Sequence, residues 1–495
     1  MNESGLEQQD AQIAATGYKK FARDIGLAGI TNLLVNFSGL ITLPIVSKNL
    51  GAYGYGIWGQ LTIILTLVSP LTTLGLLSAM IRFMAGEKNR NEIQNNVSSL
   101  SLFVLGTSLI VGAILVLLSD VIGDALFDGN GHLIRLLAIA IPFQSLLSIF
   151  INYFRTFRQM KRWAVFTLLN VYGQAGLIAF FILSGYGLDG MAYALVATKG
   201  GLCILAGLVI LPAIGIARPR FPNFRNQLKY GLPLIPQTLS AWIVNVSDRW
   251  VIGLFLGPSP VAYYLAPYAL GEFVRMFFFP LGLMLTPVLT RLYEENKRAE
   301  IETYLRYSLK FFIMLAIPSA VGLSLLAKPL LAILSTPEIA KNGITITPLI
   351  SLGIILHSIS FIFQQPLLLA KKTNYIAGIW IAAAVLNLGL NFALVPTMGI
   401  LGAAITTALA FAVVLVITVY FSSRIVRISI DFPFILKSLA ASAGMGLVIW
   451  WVNPLRIWYI ILMVLAGAAI YFGILILLKS ITRGELDFFK KLFQR

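Results

Sequence analysis

Five ionisable residues lie inside stretches otherwise too apolar to hold them: Lys199, Asp248, Arg249, Glu272 and Arg275. Four of them belong to one hairpin, residues 233–290, which reads as two apolar helices joined at Leu256-Gly-Pro-Ser-Pro-Val261. Counted from that turn at 1.5 Å per residue, Asp248 lies about 13 Å down the first helix and Glu272 about 18 Å down the second. Both depths are near the middle of a hydrocarbon core about 30 Å thick. Charge at that depth is costly and faces a water-filled cavity or a partner. Lys199, followed by Gly200-Gly201, is about 14 Å from the outer end of its own apolar block. Three cations against two carboxylates favour an anionic cargo, and the planar fork of arginine suits phosphate. The competing reading is structural. Glu272 and Arg275 are three apart and can pair along one helix face, Asp248 can pair across the hairpin with Arg275, and Lys199 can snorkel or pair.

Amides form a second set of candidates. Asn32 and Asn36 are four apart, hence on one helical face, and Asn245 lies three residues before Asp248. Asn170, Gln174, Gln364, Gln365, Asn387 and Asn391 occupy other apolar blocks. Such amides can serve sugar hydroxyls, or they can hydrogen-bond one helix to another. His357 is a candidate proton switch, or a packed core histidine.

The elements that must position these residues are membrane spans. Of 495 residues, 58% are hydrophobic and 12% charged, with a mean hydropathy of +0.86. The hydrophobicity comes in blocks of about 20 residues, each long enough to cross a bilayer. Fourteen such blocks can be counted, so the expected class is an all-α integral membrane protein. Alternating sides from span to span, twenty-nine of the 37 Lys and Arg residues fall on one side. Only Lys48, Arg135, Lys328, Lys341 and Arg456 fall on the other. The positive-inside rule then places both termini in the cytoplasm, in a plasma-membrane protein. It also accounts for the net charge of +17 without nucleic acid: topology and anionic lipid contact suffice. The expected organisation is a lobe of six helices (1–214), a basic, proline-containing linker (215–227), a second six-helix lobe (228–425), and two further helices with a tail (426–495). A shift of about 206–212 residues sets Asn49-Leu-Gly-Ala-Tyr53 near Phe255-Leu-Gly-Pro-Ser259, and Gly187-Leu-Asp-Gly190 on Gly399-Ile-Leu-Gly402. Two parallel repeats with a site between them near the midplane are a common transporter plan.

The topology, the Leu50-Gly51 turn followed by Tyr53-Gly54, and Ser247-Asp-Arg-Trp-Val-Ile-Gly253 leading to Leu256-Gly257 and Tyr263 resemble the polysaccharide transport family. Its members are the Wzx-type flippases of lipid-linked oligosaccharides, in the superfamily that also holds the multidrug extruders and lipid II flippases. Ala262-Tyr-Tyr264 departs from the Gly-x-Tyr often found at that turn. The resemblance implies a cargo carried on polyprenyl pyrophosphate, with polysaccharide polymerase and ligase machinery as partners. The expected mechanism is alternating access, in which Lys199, Arg249 and Arg275 hold phosphates or acidic sugars and Asp248 and Glu272 orient those cations or are released by substrate. A cation-coupled multidrug exporter is the alternative; it calls for a carboxylate-dominated site, and this one is mixed.

Several chemistries find no residues. Glycines 51, 54 and 56 follow a span without a Walker lysine motif, so nucleotide hydrolysis is not expected. The single cysteine, Cys203, and two histidines, His132 and His357, leave no disulfide and no evident metal set. Asn36-Phe-Ser38 and Asn245-Val-Ser247 match a glycosylation pattern, but within spans. A membrane glycosyltransferase would need catalytic outer loops, and these are short. No cofactor is expected.

Overall fold

The computed structural model describes residues 3–215, 218–221 and 223–480. The linker expected at 215–227 therefore lies partly outside the described residues, as do the basic residues Arg483, Lys490, Lys491 and Arg495. Every regular element among the described residues is helical.

In chain order the helices begin with α1 (Glu3–Thr73), α2 (Leu76–Met84), α3 (Arg90–Leu117) and α4 (Ser119–Leu126). They continue with α5 (Gly131–Thr156), α6 (Met160–Leu168), α7 (Gln174–Leu183), α8 (Gly187–Ile214) and α9 (Phe224–Gly231). Next come α10 (Ile235–Leu256), α11 (Pro258–Met276), α12 (Phe279–Glu294), α13 (Arg298–Leu334) and α14 (Pro337–Gly343). The last are α15 (Thr347–Leu369), α16 (Thr373–Ser423), α17 (Phe432–Val452) and α18 (Ile457–Leu477). One π-helical turn, Leu169–Gly173, joins α6 to α7.

Among the described residues, 11 helices are long and apolar enough to cross a membrane, or up to 12 if the bent pair α11–α12 is one span. That falls short of the expected fourteen. The shortfall has a physical source in two long apolar stretches, Gly26–Thr73 of α1 (48 residues) and α16 (51 residues), far longer than the roughly 20 that cross a bilayer. Each is interrupted by one glycine in a non-helical conformation: Gly51 (φ 68°, ψ −169°) and Gly399 (φ 62°, ψ −143°). Only glycine visits that region without a Cβ clash. Gly257 (φ 81°, ψ −176°) turns the chain before Pro258 in the same way as Gly51 does, and Gly187 shares the positive φ of Gly399. These are the positions that the sequence repeat sets together.

The helix faces show what solvent they meet. Leu117, Leu183, Val385 and Leu477 are exposed large apolar side chains, one of many such sets on the helices. Water would not tolerate that much apolar surface; lipid does. Trp450, Trp451, Trp458 and Tyr459 flank the α17–α18 turn at Asn453, as an interfacial aromatic belt does. The chain is a multi-pass membrane protein.

Contacts divide the chain into two compact units. The first holds the chain up to Thr42, Val68–Leu117 and Arg135–Leu234. Its core gathers Leu76, Met80, Leu100, Phe154, Ala206 and Ile210 from four helices. Gly75 and Gly231 approach so closely there that a Cβ on Gly75 would stand 2.3 Å from the Gly231 carbonyl oxygen. The second unit holds Leu43–Leu67, Leu118–Ile134 and the chain from Ile235. Within it the second half of α1 packs on α10 and α11 through small residues. A Cβ on Gly56 would lie 1.8 Å from the Pro258 carbonyl oxygen, and one on Gly253 would lie 1.7 Å from Gln60 Nε2. Gln60 Nε2 also donates to the Arg249 carbonyl at 3.3 Å, and Asn130 Nδ2 donates to the Tyr53 hydroxyl at 3.1 Å.

Candidate functional site

In the second unit, α10 and α11 form the expected hairpin, with Gly257 and Pro258 at the turn. The second helix does not run straight to residue 290. It ends at Met276, just past Arg275, and α12 leaves at 53°. On α11, Tyr264, Tyr268, Glu272 and Arg275 are spaced four, four and three apart, so they form one stripe. That stripe meets the charged pair on α10.

Asp248 is fully buried. Its Oδ2 accepts the Tyr264 hydroxyl at 2.6 Å and the Thr407 hydroxyl at 3.2 Å, while Oδ1 accepts the Arg249 backbone N–H at 2.8 Å. A carboxylate buried this far from water needs its oxygens hydrogen-bonded, and three donors converge on it. Arg249 points the other way round the helix. Its guanidinium lies 4.0 Å from the centroid of Tyr268, and its Nε is 4.0 Å from Asp248 Oδ1 without a hydrogen bond. Arg275 Nη2 is 3.3 Å from Glu272 Oε1, the i,i+3 pair that the spacing allowed, but Nε and Nη2 lack hydrogen-bond geometry to any acceptor. The cross-hairpin pair of Asp248 with Arg275 is not formed, because Tyr264 and Thr407 occupy Asp248 and Glu272 holds Arg275.

Beside this cluster, Ser247 Oγ donates to Asn387 Oδ1 at 3.2 Å, and Asn391 Nδ2 donates to the same atom at 3.0 Å. Asn387 Nδ2 and Asn391 Oδ1 have no partner, though both residues are fully buried. Among the described residues no group of three or more His, Cys, Asp or Glu side chains could hold a metal. The hydroxyl, amide and carboxylate oxygens of Thr407, Asn387, Asn391 and Asp248 are of the hard type that suits a small cation better than zinc. His357 is packed among Phe361, Trp380 and Phe411, stacked on the last at 4.5 Å. Asn245 Nδ2 turns back to the Ala241 carbonyl of its own helix.

The other candidates lie in the first unit. Lys199 is only 6% exposed, and its Nζ donates to Asn170 Oδ1 at 2.7 Å. Its partner is thus an amide rather than the carboxylate considered from sequence. Asn32 Nδ2 bonds the Ala28 carbonyl of its own helix, and Asn36 is exposed. Tyr264, Tyr268 and Thr407 are the neighbours that sequence reasoning missed. The two tyrosines carried a signal, since they extend the Glu272 face by four and eight residues; Thr407, 159 residues from Asp248, carried none.

The family model described as "Polysaccharide biosynthesis protein" matches residues 21–293, more than half of the chain and all of the charged hairpin. The chain belongs to this family. A second model, MatE, matches residues 233–393. The "Probable low-salt glycan biosynthesis flippase Agl15" of Haloferax volcanii is 23% identical to this chain over 429 residues, 85% of each chain. "Stage V sporulation protein B" of Bacillus subtilis is 22% identical, covering 92% of this chain and 94% of its own. Among solved structures, the lipid II flippase MurJ in an inward closed conformation superposes with a TM-score of 0.74 at 16% identity, over 90% of this chain and 97% of its own. An inward-facing multidrug resistance MATE transporter gives 0.59 at 17% identity, over 79% and 93%. At such identities these structures are similar in fold alone.

Proposed function

We propose that this protein moves a polyprenyl-pyrophosphate-linked oligosaccharide across the plasma membrane for surface polysaccharide biosynthesis, without catalysing a covalent step. The observation that carries the reading is the pair of arginines, Arg249 on α10 and Arg275 on α11. Two guanidinium groups lie within a membrane span, each with an N–H that no protein acceptor takes. Pyrophosphate oxygens are the partners whose geometry such forks match. Each arginine has one carboxylate beside it, Asp248 for Arg249 and Glu272 for Arg275, but the hydrogen bonds of Asp248 go to Tyr264, Thr407 and the Arg249 backbone and leave the Arg249 fork unbonded by it. Support comes also from the family and from the relative in Haloferax volcanii named as a glycan biosynthesis flippase.

The mechanism is alternating access. Residues 1–214 and 228–425 act as the two lobes, and 426–495 adds two helices beside them. Fourteen spans, counting each glycine-broken helix as two and the bent pair α11–α12 as one, put both termini in the cytoplasm and the basic loops with them. The polymerase and ligase machinery then receives the cargo outside. A cation-coupled multidrug exporter is the second reading, favoured by the MatE match over residues 233–393.

Depleting the protein in its host tests the choice. The expected result is accumulation of complete carrier-linked units, seen by mass spectrometry, with a fall in surface glycan. Unchanged carrier-linked units with raised sensitivity to cationic dyes would establish the exporter instead. Arg249→Ala then tests the site. It is expected to abolish export at normal protein level, since Asp248 keeps its Tyr264, Thr407 and backbone hydrogen bonds. Normal export in that variant would make these charges a structural ion-pair cluster.

A further inference from the structure

A cavity of about 210 Å³ lies within the first unit and is lined by none of the hairpin's residues. One wall is a stripe of α5: Gln144, Ser148, Asn152 and Arg155, spaced four, four and three apart. The opposite wall is Trp163 on α6 and Asn170 in the π-helical turn. A π turn replaces regular i→i−4 bonding and recurs at functional positions, where it re-aims a side chain.

The polar atoms are committed in a particular way. Lysine has donors only, so the amide atom that Lys199 Nζ meets at 2.7 Å must be the oxygen of Asn170. That leaves the two N–H donors of Asn170 for the cavity it lines. Asn152 Nδ2 donates to the Leu77 carbonyl at 2.9 Å, which leaves its oxygen as an acceptor. Ser148 Oγ donates to the Gln144 backbone carbonyl, leaving its lone pairs. Gln144 Oε1 is buried without a hydrogen-bond partner. Arg155, in the last turn of α5, brings a cationic fork to the exposed edge. The lining therefore offers both donors and acceptors, together with the indole of Trp163.

That combination fits a ring whose hydroxyls each donate and accept and whose C–H face can lie on an aromatic plane. The volume is below the roughly 300–1,000 Å³ of clefts that enclose drug-sized ligands. It suits one ring rather than a chain of several. An unpaired buried amide oxygen costs stability unless something occupies it.

We propose that this cavity binds a single sugar ring of the cargo's glycan, with Lys199 as a positioning residue that fixes the Asn170 amide. The proposal rests on the flippase reading for the identity of the ligand, but not for its test. Lys199 reaches the cargo only through Asn170, while Arg249 and Arg275 belong to the phosphate end.

The test is saturation-transfer NMR on the full chain in lipid nanodiscs. The probes are methyl α-D-glucoside, methyl N-acetylglucosaminide and glucuronate. At least one probe is expected to show transfer to wild type. Binding should weaken roughly threefold to tenfold in Trp163→Ala and in Gln144→Leu, the loss expected of one contact or hydrogen bond. Lys199→Met should weaken it as much, and Lys199→Arg, which still donates to Asn170, should restore it. Gln144→Leu nearly conserves volume and removes a group that has no partner, so it remains informative if Trp163→Ala fails to fold. No transfer to wild type, or equal transfer to wild type and Gln144→Leu, would overturn the proposal. Host depletion reads the flippase assignment separately: carrier-linked units that accumulate while sugar binding is absent would sink only the cavity.

Discussion

Removing one hydroxyl tests how Asp248 is held. Tyr264→Phe deletes the 2.6 Å donor to Oδ2 and changes no shape, so no cavity opens. A hydrogen bond to a charged acceptor contributes roughly 1.5–3 kcal/mol, and the loss falls at a fully buried oxygen that water cannot reach. Thr407 remains, 3.2 Å from the same oxygen. Its hydroxyl also lies 3.4 Å from that of Tyr264, so it can shorten its own bond when Tyr264 loses the hydroxyl. The cost should therefore sit near the low end, about 1.5 kcal/mol. Thr407→Val alone should cost a similar amount. The double variant should cost more than the sum, because Oδ2 then has no donor; groups sharing one partner couple by roughly 0.5–3 kcal/mol. The assay is the heat-unfolding midpoint in nanodiscs, read as a rank order because a chain of this size does not unfold in two states. The expected order is wild type, then Tyr264→Phe with Thr407→Val, then the double variant well below both. Tyr268→Phe, which keeps the ring under Arg249, is the control and should stay near wild type. A Tyr264→Phe midpoint equal to wild type, or a double variant no worse than either single, would refute the claim that this oxygen depends on the two hydroxyls.

Other perturbations follow the same logic. Gly56→Ala would place a Cβ against the Pro258 backbone, and backbone cannot swing aside; the variant should lower the unfolding midpoint far more than Gly39→Ala, which meets open space. Gly51→Ala meets no neighbour but must adopt a positive φ, so it should cost about 1–3 kcal/mol of strain, read by the same midpoint. Asp431 caps α17: its Oδ1 accepts the Phe434 N–H at 3.0 Å, and its Oδ2 accepts from Lys310 Nζ at 3.1 Å. Asp431→Ala should cost ~1 kcal/mol as a lost cap. Burial pushes the Asp431 carboxyl up, but the Phe434 N–H and the Lys310 ammonium outweigh it and hold it below the ordinary aspartate value. Its contribution is therefore full above that ordinary value and fades as pH falls through the lower folded one. The midpoint gap between wild type and Asp431→Ala should narrow on acidification; a gap that widens would contradict the assignment.

The sequence disclosed the class, the family and the charged hairpin because those follow from one-dimensional patterns. Block length reports bilayer thickness, and Gly257-Pro258 reports a turn. The sequence reading divides each of the two long helices into two spans, while the backbone breaks each only at one glycine, Gly51 or Gly399. What could not be read were partners set by tertiary packing. Asp248 and Arg275 were close enough in depth to pair; nothing in the chain said that Thr407 would reach Asp248 first. The π turn at Leu169–Gly173 has no composition of its own, so Asn170 read as one amide among many.

Exposure then ranks what the three intramembrane cations can do. Lys199 is 6% exposed and already bonded to Asn170, which under the proposal above makes it a positioning residue. The Arg249 side chain is 13% exposed, with one face covered by Tyr268. Such a guanidinium can present only its edge, which is the geometry of an in-plane fork to a single phosphate group. The Arg275 side chain is 32% exposed, at the last turn before the α11–α12 bend. It is free to follow a ligand, and its Glu272 pair, 28% exposed, is the easier contact to give up. Export should therefore fail more completely in Arg249→Lys, which keeps the charge and loses the fork, than in Arg275→Lys. Equal export by both variants would show that charge alone, and not the planar fork, is what the cargo requires.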